Sequence, residues 1–219
     1  MKRWMMSGPE SPVIAVEEAA SRWSPWWLAS GTLFIAAALL AAFRSLPGAL
    51  DGGALGALST ATTAAFSLAL VAAGVAAARR DDTLRLSKAV IVSLFVLAVW
   101  ILVAPPVLGA VFDLTSAAPF YVNALVKLGL SGVAVAGILR APMPAPWRFV
   151  PAIALGVVVL GSLMEFAMLS GSVSDQNALV LVFNVLVLTR ILATGALGAF
   201  ALRAARSRTG SVIVFGGQS

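Results

Sequence analysis

Residues 121–140, YVNALVKLGLSGVAVAGILR, decide the fold class. A helix needs about 20 apolar residues to cross the hydrocarbon of a bilayer, and this stretch supplies that length. Its charges are Lys127, about a third of the way in, and Arg140 at its end. An unpaired ammonium near mid-bilayer costs about 2.5–3.5 kcal/mol on insertion scales. Lys127 therefore has to face protein or water, pair with another group, or reach an interface.

The same texture extends along the chain. Its 219 residues are 60% hydrophobic and 11% charged, with a mean hydropathy of +0.99. Soluble domains usually carry about 25% charged residues, so this chain has too little polar surface for water. Six apolar runs read as spans: 26–43, 53–78, 88–111, 120–139, 148–169 and 178–202. The expected fold is an all-α integral membrane protein, a six-helix bundle over residues 26–205. A tail over 1–25 precedes it and a tail over 206–219 follows. Pro105 and Pro106 remove two backbone donors from the third run and are expected to kink it or to end it near Ala104. Pro119 fits the first turn of the fourth.

The basic residues orient the bundle. Lys2, Arg3, Arg22, Arg79, Arg80, Arg85, Lys88, Arg140, Arg148, Arg203, Arg206 and Arg208 fall on one side, and Arg44 alone on the other. Lys and Arg concentrate in cytoplasmic loops, so both termini are expected in the cytoplasm. The opposite loops carry one acid each, Asp51, Asp113 and Asp175. Trp23, Trp26, Trp27 and Trp147 stand at inner helix ends, where indoles anchor to the lipid interface. Residues 12–23 read as a short surface helix, with Ser11 as its cap and Pro12 at its first position. The N-terminus has no apolar run directly after its basic residues, so the first span is expected to act as an uncleaved insertion signal. The Ala/Gly/Arg-rich composition and short loops point to a cell membrane, the inner or plasma membrane of a prokaryote.

The three outer aspartates lie 62 residues apart in turn. KLGLSGVAVAGILR and RILATGALGAFALR also share a cation, then Ser or Thr four residues on, Gly five on and Arg thirteen on. Two readings fit: three hairpin repeats of about 62 residues, or the period of any regular six-helix protein. Small residues at i, i+4 recur on the even runs, as Ala73 with Ala77, Gly132 with Ala136, and Gly195 with Ala199. Such pairs allow close backbone approach. The even helices are expected to be central, or to meet a second copy or another membrane protein through these faces. The third run and the middle of the fifth read as lipid-facing.

Several chemistries are excluded. There is no cysteine and no histidine, hence no disulfide framework, Cys/His metal site, His-ligated haem or Ser-His-Asp triad. No phosphate-binding loop and no pair of intramembrane aspartates is present, so neither an enzyme nor a cofactor is expected. Ser131, one turn from Lys127, is only a weak echo of a Ser-Lys nucleophile. The net charge of +6 is spread over helix ends, which points to the lipid bilayer as partner and not to nucleic acid.

Three ionisable residues lie inside spans: Lys127, Glu165 and Arg190. At 1.5 Å per residue Lys127 lies about 10 Å, and Glu165 about 6–8 Å, from the outer surface. Asn123, Lys127 and Ser131 form one polar stripe at i, i+4, i+8, with Asn184 at a similar depth. Arg190 lies about 18 Å along its helix, nearest mid-membrane, with Thr194 one turn below. In one reading Lys127 and Glu165 form a structural ion pair. In the other, these seven residues line a path for an ion or anionic solute, as in a small transporter or channel. The rival to transport is a structural or regulatory subunit of a membrane complex.

Overall fold

The computed structural model describes residues 24–46, 52–79, 86–112, 118–141, 143–169 and 176–206. They form α1 (Pro25–Arg44), α2 (Gly52–Ala78), α3 (Lys88–Val111), α4 (Ala118–Leu139), α5 (Val150–Leu169) and α6 (Gln176–Arg206), with a 3-10 turn at Trp147–Phe149 leading into α5. No strand occurs among the described residues. The helices coincide with the six apolar runs. Among the described residues, five are long and apolar enough to cross a membrane. The tails, with Trp23 and the surface helix expected at 12–23, lie outside the described residues, as do Asp51, Asp113 and Asp175.

Local chemistry sets the helix ends. Ser24 is extended ahead of Pro25, which occupies the first turn of α1, where a missing N–H costs nothing. The Ser87 hydroxyl accepts the Val90 N–H at 3.4 Å and caps α3. Of the expected kink or end near Ala104, the end does not occur: α3 runs through Pro105 and Pro106 to Val111, the span read from the sequence. The prolines stand within its last two turns, and the ladder resumes beyond them, the Phe112 N–H donating to the Leu108 carbonyl at 3.0 Å. Pro119 lies in the first turn of α4, as its fixed φ favours.

The helices pack in chain order, and α6 returns against α1, so the bundle closes into a ring. The seam between α4 and α5 is its thinnest. The closure is a crossing of two glycines. A Cβ on Gly31 would stand 2.7 Å from Leu202 Cγ and 3.0 Å from the Gly198 carbonyl oxygen. A Cβ on Gly198 would stand 2.7 Å from Ile35 Cγ1 and 3.0 Å from the Gly31 carbonyl oxygen. The Ser24 N–H donates to the Ala205 carbonyl at 3.3 Å, and Trp27 meets Phe200 edge-on at 6.2 Å. On the other flank of α1, the fully buried Ser30 hydroxyl donates to the Ala69 carbonyl at 2.9 Å. Gly74 under Phe95, and Gly137 under Val90, make close contacts at the next two seams.

These contacts all lie toward the end of the ring that carries Ser24 and Arg206, here the tail end. The main core cluster sits there too, built from Trp27 and Phe34, from Ala69, Leu70, Ala73, Ala76 and Ala77, from Val90, Leu94, Leu97 and Ala98, from Ala134, Ile138, Ala141 and Met143, and from Phe200, Ala201, Ala204 and Ala205. Among the described residues, the opposite, distal end buries fewer side chains. The first buried residue of α2 is Ser67, about 22 Å along from Gly52. The first of α4 is Ala134, about 24 Å along from Ala118. Isolated buried residues persist distally at Ala104, Leu108, Leu186 and Ala193.

Two expectations are corrected. Trp27 is not an interfacial anchor: it is 2% exposed and belongs to the core, because α6 ends against it. Trp26 is half-buried beneath the Arg79 guanidinium at 5.4 Å. Nor are the even helices collectively central. α2 is, with Ala73 and Ala77 in the core, but α4 buries only Ala134 and Ile138. Gly132 and Gly195 meet open space, and Ala136 and Ala199 are exposed. Small residues permit close approach, but the short connections decide which helices are neighbours. Val92, Val96, Val99, Leu102 and Val103 on α3, and Ile153, Val158 and Leu160 on α5, are exposed, as expected of lipid-facing helices.

The crossing is testable on one helix. Gly198→Leu should lower the Tm of the purified protein markedly, since overpacking costs about 1–3 kcal/mol and each kcal/mol moves Tm by roughly 2–4 °C at this size. Gly195→Leu, one turn away in open space, should leave it nearly unchanged. Equal Tm values would contradict the crossing.

Candidate functional site

The sequence of α1 separates two faces. Leu28, Thr32, Leu39 and Phe43 are exposed. Ala37, Ala41 and Arg44, on the opposite face, line a cavity of about 310 Å³ in the distal half. Ser45 completes the α1 wall; α2 contributes Thr62 and Phe66, and α6 contributes Phe183, Val187, Arg190, Ile191 and Thr194. The α6 residues recur at i, i+4, i+7, i+8 and i+11, a single stripe of a helix. The cavity is therefore the inward space that α1, α2 and α6 enclose beyond the core. Phe66 packs edge-on against the core residue Phe34 at 5.2 Å and closes it toward the tail end.

Two guanidiniums face this space. Arg44 is the last residue of α1, and its Nη1 donates to the Ser59 hydroxyl at 2.9 Å. A guanidinium has five N–H donors in a fixed fork, so Arg44 has others to offer. Arg190 comes from α6. The Gly31–Gly198 register places it about 7.5 Å inside Arg44, roughly one and a half helical turns. The count along α6 thus overstates its depth relative to α1, because the distal turns of α6 reach past the end of α1. Arg190 is half-buried and already engaged by neighbouring groups.

The hydroxyls do not compete with the arginines as donors. Ser45 donates to the Ala42 carbonyl at 2.7 Å, Thr62 to Leu58 at 2.8 Å and Thr194 to Arg190 at 2.9 Å. Each spends its hydrogen on its own helix, as Ser and Thr commonly do in helices. The strong donors at the cavity are the two arginines, and among the described residues no carboxylate lines it. Such a set fits an anion, which takes charge-assisted hydrogen bonds from guanidinium. No group of three or more His, Cys, Asp or Glu that could hold a metal ion occurs among the described residues.

The expected polar set divides. Arg190 and Thr194 line the cavity. Lys127 is half-buried on α4, near enough to Arg190 for the two positive charges to repel. Asn123 accepts a hydrogen bond from Trp100 Nε1 at 3.1 Å, which ties α4 to α3. Ser131 is half-buried, Asn184 is exposed, and neither lines the cavity. Glu165, the expected partner of Lys127, lies on α5 with its side chain outside the described residues. Pro105 and Pro106 lie exposed on the distal part of α3, away from the cavity lining.

The sequence reading missed Arg44, Ser45, Ser59 and Thr62. A signal for Arg44 was present, as the one basic residue on the side the others avoid. Comparison with known proteins adds no relative: no protein-family model, no curated protein and no solved structure matches the chain.

Lys127 supplies the test. Its charge is opposed by Arg190, so Lys127→Met should keep or raise the Tm of the ligand-free protein, by roughly 2–4 °C per kcal/mol of repulsion relieved. A clear fall in Tm would show instead that the ammonium is held in a stabilising pair.

Proposed function

We propose that this chain is a six-span protein of a cell membrane, with both termini cytoplasmic, that takes up an anionic solute from the outer side through the arginine-lined cavity. The convergence of Arg44 and Arg190 on one space in the distal half carries this reading. Intramembrane charge marks a functional path by default, and here two like charges from separate helices share a cavity whose described lining contains no acid. The orientation rests on the charge asymmetry, which puts the distal end outside. In that frame the closed core lies on the cytoplasmic side and the cavity faces out, as in the outward-facing state of an alternating carrier. The hairpin order α1–α2, α3–α4, α5–α6 is the order three repeats would give.

One observation favours a second reading. The packed tail half also suits a subunit that binds an anion without passing it, with the outward Gly132 and Ala136 available to a partner helix.

Proteoliposomes test both. Wild-type protein should accumulate or exchange a labelled inorganic or organic anion, and Arg190→Met should reduce this at least tenfold while cation flux stays at background. Arginine-dependent binding without flux would favour the subunit, and neither would remove both readings. The chain has no cysteine, so the same vesicles report sidedness. Ser45→Cys should react with an impermeant maleimide from outside, and Lys88→Cys only after permeabilisation. The reverse pattern would overturn the orientation.

A further inference from the structure

The cavity carries its two positive charges on a mainly apolar wall. Arg44 stands at its mouth, with Arg190 about one and a half turns deeper. Ala37, Ala41, Phe66, Val187 and Ile191 make up most of the remaining wall. A small, strongly hydrated anion fits such a wall poorly. It would surrender water on every side and regain hydrogen bonds only at the arginines, and burying charge without full replacement is costly. An anionic head joined to hydrocarbon fits both parts. The head takes the guanidiniums and the chain covers the apolar lining. The volume of about 310 Å³ is roughly ten water-sized groups at about 30 Å³ each, enough for a head and a short length of chain.

We infer that the ligand of this cavity is an anionic amphiphile, with a phosphate or carboxylate head between Arg44 and Arg190 and a hydrocarbon chain directed toward Phe66. This rests on the reading above that the cavity binds an anion, and adds the class of ligand. The chain runs inward because both arginines lie distal to Phe66, and the Phe34–Phe66 pair closes the tail side. A length limit follows: chain atoms that reach Phe66 have no further apolar wall to cover. The same chemistry is offered by a soluble amphiphile entering from water and by the head and upper chain of a membrane phospholipid.

The test uses the full-length protein in nanodiscs of zwitterionic lipid. Equilibrium dialysis measures the binding of inorganic phosphate and of n-alkyl phosphates from ethyl to octyl, with empty discs subtracted. The inference predicts that affinity rises about threefold to fourfold per methylene, as full burial of a CH₂ gives, and then levels off within the series. Arg44→Met and Arg190→Met should each abolish the arginine-dependent binding. Arg190→Lys, which keeps the charge and loses the fork, should weaken it less and guards against a variant that fails to fold. Phe66→Ala should move the plateau to longer chains. Discs containing anionic phospholipid should compete the probe away if a membrane lipid is the natural occupant, and leave binding unchanged if a soluble amphiphile is; either outcome keeps the inference. Phosphate binding as tightly as octyl phosphate, in an arginine-dependent way, would overturn the inference and leave the anion site standing. Chain-dependent binding indifferent to both arginines would overturn it as partition into the bundle. No binding above empty discs would remove the inference and the anion site together.

Discussion

The contact on which the arrangement depends is the crossing of α1 and α6 at Gly31 and Gly198. Each glycine lies where a Cβ would meet the carbonyl oxygen of the other. In a chain of apolar helices hydrophobicity does not choose neighbours, because lipid is as apolar as a helix partner. Van der Waals contact between backbones and a few hydrogen bonds must do so. The glycine crossing, the Ser30–Ala69 bond and the Ser24–Ala205 bond hold the first helix between the second and the last. That turns a row of hairpins into a ring.

Closing the ring at the tail end leaves fewer buried side chains among the described residues of the distal half. The close contacts at Gly31, Gly74, Gly137 and Gly198 all fall on one side of the bundle's midpoint. Beyond them the walls carry half-buried residues, and the space between α1, α2 and α6 is lined by Arg44 and Arg190. Both follow from the same register. With Gly31 beside Gly198, the last turn of α1 stands just distal to the turn of α6 that carries Arg190. A crossing two turns higher would bring other residues to the cavity. Packing at one end thereby sets the electrostatics of the other.

The helices were legible in the sequence because hydropathy over about 20 residues is a strong signal, and boundaries followed from prolines and charges. The order around the ring was not, because small residues at i, i+4 mark surfaces able to approach closely without naming a partner. Gly132, whose missing Cβ faces open space, and the exposed Ala136 carried that pattern, whereas Gly31, which pairs with a glycine on a distant helix, carried no such motif. Trp27 looked like an interfacial anchor because its position at a helix end was visible and Phe200 beside it was not. The candidate site was half legible. Intramembrane charge singled out Arg190 and Lys127, with Thr194 following from helix periodicity. Arg44 escaped because it ends a helix, and only the register of α1 against α6 shows that an end residue and a mid-helix residue face one space.

The central claim is that Arg44 and Arg190 act on one anion. A double-mutant cycle on anion affinity addresses it most directly, using the wild type, Arg44→Met, Arg190→Met and the double variant in nanodiscs. Residues that share a ligand are coupled, while independent sites add within about 0.3–0.5 kcal/mol. The account predicts strong non-additivity, with the double variant no weaker than the weaker single variant. Additive effects, or affinity unchanged in either single variant, would contradict it.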